Sequence, residues 1–158
     1  MSALPALLRQ LEALVQEEIA AQQRQLACLE AQARAVAAGA PAEILERTRA
    51  LEVELRSGAP RAQRRGLLLR QLGGLWNVSP AALTLSSIVE RAGAQGERLG
   101  RQRTEMRQNA GRVARLARRV TSAAALHQRL NAEILEELLG GEGGARLACA
   151  GALLDAEA

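Results

Sequence analysis

The side chains that most often carry acid–base, nucleophilic or metal chemistry are scarce in this chain: one His, two Cys, one Asp, and no Lys or Tyr. His127 has neither Cys nor Asp near it in sequence to complete a triad or a metal site, and it sits inside an Ala/Leu stripe, so it reads as a histidine tolerated in a helix seam. Cys28 and Cys149 lie 121 positions apart without C-x-x-C spacing, which reads as two reduced thiols. Glu133, Glu136 and Glu137 cluster near the end of a helical stretch. A carboxylate-bridged metal pair in a bundle would also need Glu-x-x-His on other helices, and none is present. Gly93-Ala94-Gln95-Gly96 and the Gly-rich run from Gly140 to Gly144 lack the Lys-Ser/Thr and the preceding strand of a phosphate loop, and both read as linkers. The sequence therefore assigns no catalytic, cofactor-binding or metal-ligating residue, and the chain is predicted not to be an enzyme.

Charge is the second feature with chemical meaning. The net charge of +4 divides unevenly: residues 1–58 carry six Arg against eight Glu, residues 59–129 fourteen Arg against three Glu, and residues 130–158 one Arg against six acids. Arg101, Arg112, Arg115 and Arg119 recur at helical spacing, with Arg98, Arg107 and Arg118 close by. Such a row can track phosphates, which makes an Arg-rich nucleic-acid binder one reading. Single-strand binding, however, uses stacking aromatics; the segment has none, and Glu105 interrupts the row. The plainer expectation is a solvated or Glu-paired face, with acidic and basic helices lying against one another.

The elements that must hold these groups follow from composition and spacing. The chain has 158 residues and is 48% hydrophobic, yet Trp76 is its only aromatic residue. Ala, Leu and Val fill narrow seams between helices, and the β-branched and aromatic residues of a sandwich or barrel are missing. A three-four stripe runs through Leu4, Leu8, Leu11, Val15, Ile19, Gln22, Leu26, Leu29, Ala33 and Val36, with one extra step of four at Val15–Ile19. It predicts a helix of roughly 50 Å, ended by Gly39-Ala40-Pro41. A second helix is predicted from about Pro41 to Arg56 with Ile44, Thr48, Leu51 and Leu55 on one face, closed by Ser57-Gly58-Ala59-Pro60. A third is predicted from Arg61 to Leu72 before Gly73-Gly74, and a short one starting with Ser79 as N-cap and Pro80 as its first residue, ending at Gly93. The longest is predicted from Gly96 to Leu139, on a seam of Leu99, Arg103, Met106, Ala110, Val113, Ala117, Val120, Ala124, His127, Asn131, Ile134 and Leu138, widened by Leu116, Leu126, Leu130 and Leu135.

Together these predict an all-α fold: an elongated antiparallel helical bundle or coiled coil with two long helices and shorter helices between them. Residues 1–139 read as one helical domain, and residues 140–158 as a Gly-rich linker and flexible tail. No basic region followed by an apolar core opens the chain and no uncharged apolar stretch of spanning length occurs, so the expected location is the cytoplasm.

The order of elements carries a resemblance. A long heptad helix, a Gly-Pro stop, a shorter Glu/Arg helix, an apolar linker with a short helix and a long seam ending in Leu-Leu-Gly resemble the FlgN-type flagellar export chaperones over roughly Leu4–Leu139. "LACLEAQARAVAAGAPAEILERTRALEVEL" is similar to that family's Ala-rich helix end followed by a Glu- and Leu-containing helix, "LTLSSIVERA" to its short middle helix, and "EILEELL" to the close of its last helix. The resemblance implies a chaperone of flagellar type III secretion. Such a protein would bind the C-terminal helices of the hook–filament junction proteins FlgK and FlgL, keep them unassembled and pass them to the export apparatus, without a cofactor. The face best suited to take an amphipathic helix is the C-terminal half of the last helix, at Val113, Leu116, Val120, Leu126, Leu130, Ile134 and Leu138. The same residues can equally form an intramolecular core. A generic structural coiled coil, or another helical secretion chaperone, is the alternative from a different class.

Overall fold

The computed structural model describes residues 3–138, and every regular element among them is helical. Five α-helices follow in order: α1 Leu4–Ala37, α2 Pro41–Arg56, α3 Ala59–Trp76, α4 Leu85–Ala92 and α5 Glu97–Leu138, with 3₁₀ turns at Pro80–Ala82 and Gly93–Gly96. The tail from Gly140 onward, including Cys149 and the Gly140–Gly144 run, lies outside the described residues, as does Leu139.

The α1 seam forms as its spacing requires. Leu8, Leu11, Val15, Ile19, Leu26, Leu29 and Val36 are buried, and Leu4, Gln22 and Ala33 are half-buried. Pro5 sits in the first turn, where its missing N–H costs nothing, and Gly39 takes a left-handed φ of +61° just past the end.

From α2 to α3 the chain bends without reversing. Pro60 has no N–H to continue the ladder, while Ser57 and Gly58 keep right-handed helical dihedrals. Side-chain contacts show the direction: Thr48 meets Gln32 at 2.8 Å, Glu54 meets Arg24 at 2.9 Å, Arg61 meets Glu18 at 3.3 Å, and Arg64 meets Glu17. As the chain advances, its partners on α1 descend, so α2 and α3 form one broken rod antiparallel to α1. Arg61, buried near the break, fixes it with an ion pair to Glu18 and a 3.2 Å bond from Nη1 to the Ser57 carbonyl. No residue of α2 is buried, and Leu55, expected on its packed face, is 57% exposed while Glu54 turns inward.

Because α2 and α3 count as a single descent, α5 ascends parallel to α1. Arg98 lies 3.8 Å from Glu12, Gln102 donates to the Glu12 carbonyl at 3.1 Å and to Gln16 Oε1 at 3.2 Å, and Arg112–Arg119 flank Leu26 and Glu30 further up. The antiparallel pairing is thus that of α1 with α2 and α3, and the two longest helices run side by side in one direction.

The core gathers at the lower end, where Leu8, Leu11, Leu14, Val15 and Ile19 of α1 meet Leu68 and Leu72 of α3, Leu83, Ile88 of α4 and Leu99 of α5. Two local signals differ from the sequence reading. α3 runs through Gly73-Gly74 to Trp76 and stops at Asn77, whose left-handed φ of 51° ends it. Ser79-Pro80 opens only a 3₁₀ turn, and the N-cap of α4 is Thr84: its Oγ1 accepts from the Ser87 N–H at 3.1 Å, and Ser87 Oγ accepts from the Thr84 N–H at 3.0 Å.

Candidate helix-docking face

α5 has 42 residues, about 63 Å at 1.5 Å per residue, against 34 for α1. Its lower part is held between Leu99, fully buried, and Val120, the last buried position. Past Val120 only Ala123, Ala124 and His127 are even half-buried, and every residue from Gln128 to Leu138 is exposed. The register with α1 explains this: partners near Glu12 and Gln16 at the base imply that α1 ends, at Ala37, close to the level of α5 residues 120–125. Beyond that level α5 continues with no other helix beside it among the described residues.

This placement divides the seven residues singled out from the sequence. Val113 and Leu116 are half-buried and Val120 is buried, all within the α1–α5 contact. Leu126, Leu130, Ile134 and Leu138 are 58%, 46%, 53% and 76% exposed, joined by Leu135 at 42%. Four apolar side chains at steps of four make a stripe that winds slowly around the helix, the pattern with which a helix lies against another helix. A lone helix segment of this length is marginal in water, and packing of such a stripe is what ordinarily stabilises one.

Lower on α5 the buried positions include Gln102 and Asn109, which sequence periodicity passed over in favour of Arg103 and Ala110. Gln102 Nε2 is satisfied by α1, whereas Gln102 Oε1, Asn109 Nδ2 and Gln22 Oε1 have no hydrogen-bond partner among the described residues. Polar groups in a parallel helix seam set register at some cost in stability, and here they lie between the apolar base and Val113.

The arginine row is mostly solvated. Arg98 reaches Glu12 and Arg101 reaches Glu97 at 2.8 Å, but Arg103, Arg107, Arg112, Arg115, Arg118 and Arg119 have no carboxylate within 4.0 Å among the described residues. Arg112, Arg115 and Arg119 line one wall of a groove between α5 and α1 that also contains Leu26, Glu30 and Leu116. The acidic–basic pairing expected between helices is realised around α1, by Arg24 with Glu54 of α2, Arg98 of α5 with Glu12, and most closely by Arg64 of α3, which grips Glu17 with both terminal guanidinium nitrogens and holds that carboxyl below the usual glutamate range.

The remaining sequence candidates are dispersed. His127 is half-buried on the upper part of α5, Cys28 is half-buried on α1, Gly93–Gly96 is the 3₁₀ turn that joins α4 to α5, and Glu133, Glu136 and Glu137 are exposed. Among the described residues no three of His, Cys, Asp and Glu converge where they would hold a metal ion, and no helix is long and apolar enough to cross a membrane. No family model matches this chain, and neither the curated proteins nor the solved structures contain a match to it.

Proposed function

We propose that this chain is a non-enzymatic export chaperone of the FlgN type, acting in the cytoplasm on the hook–filament junction proteins FlgK and FlgL and delivering them to the flagellar export apparatus. The observation that carries the reading is the upper end of α5, where Leu126, Leu130, Ile134 and Leu138 are exposed on a helix with no neighbour at that level among the described residues. A chaperone that keeps a subunit from assembling must offer its terminal helix a substitute for the packing it will later make. An exposed Leu/Ile stripe, flanked by Ala123 and Ala124 that permit close approach, offers that packing. The order of helices supports the resemblance read from the sequence in its long first helix, Gly-Pro stop, Glu/Arg helix, short α4 and long last helix, with α3 (Ala59–Trp76) standing where the resemblance reads an apolar linker.

The test is direct. The purified full-length chain should form a stoichiometric complex with soluble FlgK or FlgL from its own organism, and removal of the last helical turns of that client should abolish the complex. Recovery of neither protein, with both soluble and intact, refutes the assignment.

A further inference from the structure

Arg115, Arg118 and Arg119 of α5 are repeated 18 residues later as Glu133, Glu136 and Glu137, with the same internal spacing and the opposite charge. Eighteen residues make about five turns at 3.6 per turn, so the two triplets share one face of the helix, about 27 Å apart. All six side chains belong to exposed residues, and none has an opposite charge within 4.0 Å among the described residues. Leu126, 58% exposed, lies midway between Arg115 and Glu137 and also midway between Arg119 and Glu133, on that same face.

We infer that a second copy of this chain docks antiparallel along the upper half of α5, with a two-fold axis at Leu126. That axis sets Arg115 and Arg119 opposite Glu137 and Glu133 of the second copy, and the reverse pairs form by symmetry. Leu126 meets its own equivalent, and Leu130 falls opposite Ser122, a side chain small enough to receive it. The acidic end of each α5 then lies beside the groove of Leu26, Glu30 and Leu116 walled by Arg112, Arg115 and Arg119, where three arginines outnumber the single carboxylate. Parallel pairing would place Arg on Arg and Glu on Glu, which costs energy. A nucleic acid would be repelled by the glutamates on the same face and would find no aromatic residue to stack on. This inference goes beyond the chaperone reading and needs no client, so each stands or falls by its own experiment.

Light scattering coupled to size exclusion on the full-length chain tests it. At about 50 mM salt the protein should elute at twice the 16.8 kDa chain mass, and dissociation should increase about tenfold or more at about 500 mM. R115E/R119E and E133R/E137R, each checked for unchanged helicity by circular dichroism, should each be monomeric. Mixed one to one they should recover a dimer, since every facing pair is then again Arg against Glu. A wild-type chain that stays monomeric at about 200 µM overturns the inference. So does a dimer indifferent to both reversals, or a mixture that fails to pair.

Discussion

Replacing Leu126, Leu130 and Ile134 together by Ala separates the role of the upper α5 from the stability of the bundle. These side chains are 58%, 46% and 53% exposed, so about half of each remains to be covered when a helix docks. Full burial of a Leu or Ile side chain stabilises by about 1.5–3 kcal/mol, so covering the remaining half contributes about 1 kcal/mol each, or about 3 kcal/mol for three. The dissociation constant for a FlgK or FlgL client should therefore rise roughly 100-fold. The isolated chain should be almost unaffected, because Ala is a better helix former than Leu or Ile and no other helix among the described residues lies beside these positions. Its melting temperature should move by less than about 4 °C. Leu99→Ala supplies the contrast: that side chain is 0% exposed, and its truncation should cost about 3 kcal/mol and lower the melting temperature by about 6–12 °C. Melts followed by circular dichroism at about 5 µM and high salt, where copies do not pair, read the stability, and calorimetric titration reads the client affinity. A triple variant that melts as early as Leu99→Ala would show that the stripe packs at home. Normal melting with unchanged client affinity would remove it as the docking face.

Three further outcomes follow from local geometry. Gly73 and Gly74 are adjacent in α3, yet a Cβ on Gly73 would sit 2.6 Å from the Val78 carbonyl oxygen, whereas one on Gly74 meets nothing within 4 Å. In urea unfolding Gly74→Ala should raise stability by about 0.5–1 kcal/mol and Gly73→Ala should lower it. Gln102→Leu removes a buried amide whose Oε1 has no partner among the described residues, and it should raise stability by about 1 kcal/mol by the same measurement. Glu17→Gln tests the ion pair with Arg64. Arg64 lowers the folded-state pKa of Glu17, so the pair stabilises above the ordinary glutamate range and that contribution is lost as pH falls through the lowered value. The variant should accordingly unfold at a lower urea midpoint than wild type at about pH 7, with the difference gone near pH 2.

Much of this architecture was legible because it rests on periodicity. The α1 stripe, the Gly39–Pro41 stop and the limits of α2 follow from residue spacing and stop signals alone. What escaped depends on contacts distant in sequence. Gly73-Gly74 reads as a stop, but Gly73 is where the returning backbone at Val78 passes α3, with the Val78 N–H on the Gly73 carbonyl at 2.9 Å, and Asn77 is the actual terminator. Ser79-Pro80 has the chemistry of a helix start, and Thr84 with Ser87 satisfied both donors instead. Gln102 and Asn109 escaped because a hydrophobic pattern gives no sign of a polar residue turned into a seam. The direction of α5 depended on whether Ser57-Gly58 turns the chain or only bends it, which tertiary pairing with α1 decides. At the candidate face, residue spacing pointed to the C-terminal half of α5, whose apolar residues from Leu126 onward are exposed. Where home packing ends and free surface begins followed only from the register between α1 and α5.

The extensive helix-to-helix packing of the long elements runs through α1: α2, α3 and α5 each lie against it, and none of them has comparable contact with another of the three. A bundle wired in this way has a spine instead of a closed ring. One arm can lift while the others stay seated, so opening is graded. In hydrogen-exchange measurements α2, which buries no residue, should lose protection first, together with the upper α5, which is exposed among the described residues, and the base around Ile19, Leu72, Ile88 and Leu99 should open last. A molecule built so can loosen its upper end while the core around Ile19, Leu72, Ile88 and Leu99 stays packed.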